Sequence, residues 1–330
     1  MTHKLLSQLV VIALLSACAI TKNEKNETIN DITPQDITNS VPVNIAFDGS
    51  YSLSMWEDTL QVAKNNDVKF TYFIVGTHLL TNENRYLYIN HRNQSGRSDV
   101  GFGGTKDEVE KRLLLIYQAF KDGHEIGSHA NGHYNGAEFT KENWESELKQ
   151  FDNFLRNAWE INQIENNKPD DWDVIADNII GFRAPLLAMN EVGYETLVEL
   201  GYKYDTSFAK SIGTYFTEPY PGIIGLPLHS IEYKEKSKVL SMDYNFYYKD
   251  KKNNPEAYET MANSYKKYAE FSVLNNTPIS IGHHFSLWNN GQYWNALKDF
   301  IKSYCNLEQY QCITKRKTLD TYLSKNDKNL

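Results

Sequence analysis

Cysteine is scarce in this chain: Cys18, Cys305 and Cys312 are the only three in 330 residues. That excludes a disulfide-built scaffold, which needs dense cross-links because its core is small. A basic surplus is missing too. Lys and Arg number 34 against 42 Asp and Glu, a formal charge of −8, so the electropositive face that nucleic-acid binding requires is not expected. No stretch reaches 18 consecutive apolar residues, the length expected of a membrane-spanning helix. What the chain does have is 41% hydrophobic residues and 13% aromatics, with 22 Tyr. Such a composition excludes a disordered chain, and the length suffices for one large domain or two modest ones.

Residues 1–17 read as a secretion signal, with Lys4 ahead of an apolar run, Leu9 to Leu15, that is too short to span a bilayer. The run ends in Leu15-Ser16-Ala17-Cys18, which resembles the lipobox of bacterial lipoproteins. That resemblance implies cleavage before Cys18, a lipid on its thiol, and a membrane anchor in the cell envelope. By the same resemblance, the lack of Asp at position 19 leans toward the outer membrane, on its periplasmic or surface side. Residues 18–42 are rich in Asn, Thr, Lys and acids without apolar periodicity, and read as a flexible tether. Cys305 and Cys312 lie close together in what would be an oxidising compartment, so a disulfide is expected.

From residue 43 onward, strands and helices alternate. Apolar or β-branched runs predict strands at 43–47, 69–75, 124–127, 179–183, 223–227, 239–243 and 278–282. A capping box at Ser54–Glu57 predicts one helix; another at Thr105–Glu108 opens a helix that stops at Gly123. Further helices are expected near 140–159, 190–200, 255–275 and 292–304. The pattern is α/β, a mainly parallel sheet or barrel forming one catalytic domain over 43–330. Segments 84–105 and 160–177 read as surface insertions. In such folds chemistry gathers at the carboxyl ends of strands. Asp48, His129 and His133, Arg183, and His283 with His284 all stand there.

His129-Ala130-Asn131-Gly132-His133 sets two imidazoles four positions apart among small residues, a spacing that can meet one cation. A metallopeptidase would want a Glu between such histidines, and none is there. The order of motifs around the pair resembles the polysaccharide deacetylases, carbohydrate esterase family 4. The first motif is Ala46-Phe47-Asp48-Gly49-Ser50, and the strand Phe70 to Gly76 is its usual companion. The second is Gly123 through His133, the third Arg183-Ala184-Pro185, the fourth Asp205 with Phe208, and the fifth Ile279 through His284.

The resemblance implies a distorted (β/α) barrel and a divalent metal, usually zinc, held by His129, His133 and an Asp of the first motif. It implies removal of N-acetyl groups from an envelope or extracellular polysaccharide, with a carboxylate base, a histidine acid and substrate contacts at Pro185 and Phe208. One departure matters. The family usually has two adjacent aspartates in the first motif, whereas here Asp48 is followed by Gly49. Position by position Asp48 matches the base, and the alternative is that it ligates the metal. Arg183 is expected beside Asp48, keeping it ionised, and Asp205 beside the acid histidine. Family position favours His283 over His284 as that acid, although the two point to opposite faces of a strand. The rival reading is a catalytically inactive glycan-binding lipoprotein of the same fold.

Overall fold

The computed structural model describes residues 40–326. The secretion signal, Cys18 and all but the end of the tether lie outside them. Strand β1 (Val41–Asp48) begins two residues before the expected domain boundary and is buried along its whole length, as befits a parallel strand covered on both faces. Ser52 caps α1 (Leu53–Asn66) by accepting from Met55 N–H. The cap therefore falls two residues before the expected Ser54, which is already inside the helix. After β2 (Thr71–Ile74), the capping box at Thr105 opens α2 (Lys106–Lys121) as its sequence requires. Then come β3 (Glu125–Ser128) and α3 (Lys141–Arg156). The expected single helix to residue 159 breaks at Asn157, and a short α4 (Ala158–Ile161) follows.

The segment 160–177 is more than a surface insertion. Just before α5 (Asp173–Asp177), Trp172 is fully buried, edge-on to Trp159, and its indole N–H donates to the Leu155 carbonyl at 2.8 Å. Next come β4 (Gly181–Phe182), α6 (Glu191–Glu199), β5 (Tyr204–Asp205), β6 (Ala209–Ser211), β7 (Thr217–Tyr220) and β8 (Ile223–Gly225). The chain continues through β9 (Leu228–Glu232) and β10 (Lys238–Leu240), which stops short of the expected 243 because Asp243 opens α7 (Asp243–Asp250). The last elements are α8 (Ala257–Asn275), β11 (Ile279–His284), α9 (Gln292–Tyr304), β12 (Tyr310–Cys312) and α10 (Lys315–Asn326).

The main sheet runs β11-β1-β2-β3-β4-β5-β8-β7, with β12 paired to the start of β1. Its strands are parallel except β7, which returns antiparallel to β8. A second sheet, β10-β9-β6, is joined to β11 by a parallel bridge between Met242 and Gly282. The result is a curled α/β half-barrel. Helix side chains such as Trp56, Leu113, Tyr265 and Leu297 pack against its outer face in one large apolar cluster. Burial on that face supplies the main driving force for the fold. Cys305 and Cys312 are joined as a disulfide, with Cα atoms 5.5 Å apart, which ties β12 to the end of α9.

Candidate active site

Parallel strands in register bring their carboxyl ends to one rim, and β1 aligns Asp48 with His284 of β11 and Phe73 of β2. Asp48 is buried, and Arg183, just past β4, donates from Nη1 to its Oδ1 at 2.7 Å. Burial alone would raise the Asp48 pKa. Arg183, with smaller help from His129 and His284, outweighs that and holds it below the ordinary carboxylate value. The Arg183 guanidinium also donates to Thr206 and lies over the Phe73 ring, which fixes its plane. The adjacency expected of Arg183 is present.

His129 and His133 face one another with ring centres 5.3 Å apart. Both pKa values are lowered, first by burial, and that of His129 falls to about 3. The His129 Nδ1–H donates to the Arg183 carbonyl at 2.7 Å, which leaves Nε2 as the free donor atom. The loop between them is held from beneath. The buried Glu147 of α3 accepts from the main-chain N–H groups of Asn131 and Gly132 at 3.0 and 2.8 Å, and from the Tyr88 hydroxyl at 2.9 Å. Ala130 and His133 adopt left-handed φ values of 54° and 60°, a strain on the order of 1–3 kcal/mol each that those hydrogen bonds help offset. A side chain at Gly132 would strike the Tyr88 hydroxyl. Sequence reasoning missed Glu147, whose helical position looks like any other.

The last strand settles the direction of its two histidines. Ser280, Gly282 and His284 face the barrel interior: Ser280 Oγ receives the buried Lys315 amine at 2.9 Å, and a Cβ at Gly282 would sit 3.4 Å from Arg183 Nη1. Ile279, Ile281 and His283 face the outer core. Of the two, His284 is therefore the one on the interior face, in register with Asp48, although family position favours His283. His283 is buried against Phe47 and Tyr265, accepts or donates at the Tyr265 hydroxyl at 3.1 Å, and has its pKa pushed down to about 4 by burial. At the rim, His284 donates from Nδ1 to Asp243 Oδ1 at 2.7 Å, and its main-chain N–H donates to Oδ2 at 2.9 Å. Burial opposes a charged ring there, but Asp243 and the more distant Asp48 outweigh it and raise the His284 pKa.

Asp205 does not support either histidine. Its carboxylate accepts from the Ser207 N–H at 2.9 Å and from the Ser207 hydroxyl, and burial raises its pKa to about 6. Asp243 takes the supporting place, brought there by the Met242–Gly282 bridge, and no local sequence pattern announces it. Pro185 is buried and opens a turn after Arg183 whose next residue, Leu186, is exposed. Phe208 is half-buried, and its ring lies where a Gly225 side chain would be. Beside His284 stand the half-buried Trp288, 5.1 Å away ring to ring, and the exposed Tyr244.

A sequence profile of the polysaccharide deacetylase family matches residues 35–204, just over half of the chain. The chain belongs to the polysaccharide deacetylase family. The matched stretch includes Asp48, His129, His133 and Arg183, whereas Asp243 and His284 lie beyond it. Among solved structures, the chain is similar to a protein from Mycobacterium smegmatis described as a polysaccharide deacetylase. The two are 13% identical, 86% of this chain and 91% of that one are covered, and the TM-score is 0.58. It also matches the carbohydrate esterase domain of a multidomain xylanase from the hindgut metagenome of Trinervitermes trinervoides, at 15% identity, 86% and 91% coverage and a TM-score of 0.48. A third match is a pseudoenzyme of the same esterase family from Bacillus anthracis, at 11% identity, 85% and 66% coverage and a TM-score of 0.45. No curated protein sequence matches the chain.

Deacetylases of this family are generally metal-dependent, and the residues present meet part of that requirement. His129 and His133 are neutral imidazoles, one with its ring already oriented by a carbonyl, a donor pair suited to a divalent cation. Catalytic sites of this kind usually take three protein ligands. Among the described residues no group of three or more His, Cys, Asp or Glu stands ready to hold a metal. At the family's second aspartate, Gly49 has a φ of +94°, which a side chain rarely tolerates, although a Cβ there would meet nothing within 4 Å. The glycine serves the turn, and the carboxylate is given up.

Proposed function

We propose that this protein is a hydrolase that removes N-acetyl groups from a polysaccharide of the cell envelope or its surroundings. The observation that carries the reading is the pairing of Asp48 and His284, side by side at the ends of the neighbouring strands β1 and β11, the first kept ionised by Arg183 and the second kept protonatable by Asp243. Amide hydrolysis needs a base to deprotonate the attacking water and an acid to protonate the departing amine. Asp48 takes the water's proton. Nε2 of His284, the nitrogen not bound to Asp243, gives a proton to the sugar amine. A divalent cation such as zinc, held by His129 and His133, would polarise the acyl carbonyl. Tyr244 and Trp288 offer apolar ring faces on which a sugar stacks next to the acid.

Acetate release from a panel of N-acetylated glycans, with and without zinc, tests the reading. Release from at least one glycan is expected; no release from any of them, with cations supplied, favours glycan binding without cleavage. Gly49, where a third ligand would be, is the feature that supports this second reading. We further propose that the mature chain is anchored to a membrane through a lipid on Cys18. The Cys18→Ser protein should then leave the detergent phase for the aqueous phase, and equal partition of the two proteins would contradict the anchor.

A further inference from the structure

Past His284 the rim continues into a row of aromatic rings. Trp288, in the loop after β11, lies 5.1 Å from the His284 ring. The rings of Tyr244 and Tyr247 each lie 5.4 Å from Trp288, that of Tyr247 at only 14° to it. Helix α7 buries Asp243 and Phe246, while Tyr244 is 47% exposed and Tyr248, one turn on, is 77% exposed. Residues four apart on a helix are neighbours on one face, so the two tyrosines form a row that starts beside His284 and leads away from it. The Tyr248 side chain makes no hydrogen bond or ring contact among the described residues, so nothing in the fold accounts for its ring. The support beneath is firm. Asn289, next to Trp288, is buried and donates to the Lys251 carbonyl at 3.1 Å and to the Tyr293 hydroxyl at 2.9 Å. It also accepts from the Asn253 N–H at 2.7 Å, and together these bonds tie the Trp288 loop to the end of α7.

We propose that α7 and the β11–α9 loop form a track for a glycan chain, with the acetylated unit at Asp48 and His284, its neighbour on Trp288 and Tyr244, and the next unit on Tyr248. This rests on the reading above of Asp48 and His284 as the reacting pair, and adds to it a preference for chains of three or more units set by Tyr248. A tyrosine offers a flat apolar face with few torsions to fix, while its hydroxyl stays in water. A ring already held by its neighbours, as Trp288 is, loses little freedom when a ligand arrives. The three charged side chains of α7 are all engaged: Asp243 with His284, Lys249 over the Tyr233 ring at 5.1 Å, and Asp250 with the Tyr293 hydroxyl at 2.9 Å. The row therefore presents rings and hydroxyls, which fit an uncharged sugar chain. An exposed apolar patch on a folded protein marks a contact site. Continuity of this one with the reacting pair singles out the substrate's own chain as the occupant.

The test uses N-acetylglucosamine oligomers of one to six units, with binding read by calorimetry and turnover by acetate release. Wild type, Tyr248→Ala and Tyr248→Phe are compared with zinc supplied, and circular dichroism checks folding. Wild-type affinity and kcat/KM should climb with length up to three units or beyond. Tyr248→Ala should lose about threefold to tenfold of that climb, the worth of one aromatic stacking contact, through KM rather than kcat. Tyr248→Phe should keep the climb, because the ring face and not the hydroxyl makes the contact. A Tyr248→Ala protein that matches wild type at every length would overturn the track and leave the reading of Asp48 and His284 intact. Tighter binding of longer oligomers without acetate release, lost in Tyr248→Ala, would support the track and count against the hydrolase. A wild-type protein that binds no oligomer of any length would overturn the track as well.

Discussion

Asp48 and His284 begin as chemically ordinary groups, and their neighbours set them apart. Arg183 offsets the burial of Asp48, so its carboxylate stays ionised to a lower pH than a free one. Asp243 offsets the burial of His284, so its ring stays protonated to a higher pH than a free imidazole. Deacetylation should therefore fall on the alkaline side above the usual imidazole value of about 6.5 and on the acid side below the usual carboxylate value of about 4. Asp243→Asn removes the charge that raises His284 and leaves the burial that lowers it. The alkaline limb of kcat/KM should then move to lower pH, while the acid limb set by Asp48 stays in place. A pH–rate profile reads both limbs, and an alkaline limb that does not move would remove Asp243 from this role. The choice between the histidines was partly written in the sequence. Ile279 and Ile281 mark one face of β11 as core, and Ser280 with Gly282 mark the other as interior. Family position points to His283, whereas strand parity puts His284 on the interior face.

Long elements were legible because each repeats its signal. The apolar run of β1, the capping box of α2 and the amphipathic spacing of α3 and α9 all lie where periodicity puts them. Short strands such as β2, β3 and β8 were legible only through their apolar or β-branched runs, whereas β5, β6 and β9, equally short and without such a run, were not. The start of α7 was hidden for a related reason, and with it Asp243, which reaches His284 only through pairing distant in sequence. Likewise, Glu147 supports the histidine loop from a helix face that looks purely structural. The disulfide acts on the opposite end of the central strand, where β12 pairs with Val41 to Val43. Replacing both Cys305 and Cys312 with Ala should lower stability by about 2–3 kcal/mol, the loop-closure estimate for so short a ring. Urea unfolding measures it. Activity at room temperature should be retained, because the rim residues stand at the other end of β1. A midpoint unchanged by the double substitution would mean that β12 is held without the bond.

On the scale of the whole molecule, the half-barrel supplies a rigid rim on which residues far apart in sequence converge. Asp48 comes from the first strand, His129 and His133 follow the third, Arg183 the fourth, and His284 ends the last of the main parallel set. The insertion 84–105 closes over the histidine loop from outside. An acidic chain with aromatic rings at the rim suits a neutral, ring-shaped substrate better than a polyanion. The deciding question is whether this rim cleaves acetyl amides. The most direct measurement is acetate release from N-acetylated glycans by wild type, Asp48→Asn and His284→Ala, each supplied with zinc. Wild type should release acetate, and each variant should be slower by roughly 10²–10⁴-fold, the usual contribution of a general acid or base. Acetate released by Asp48→Asn or His284→Ala at the wild-type rate would contradict the account, as would a wild-type protein that binds these glycans and releases none.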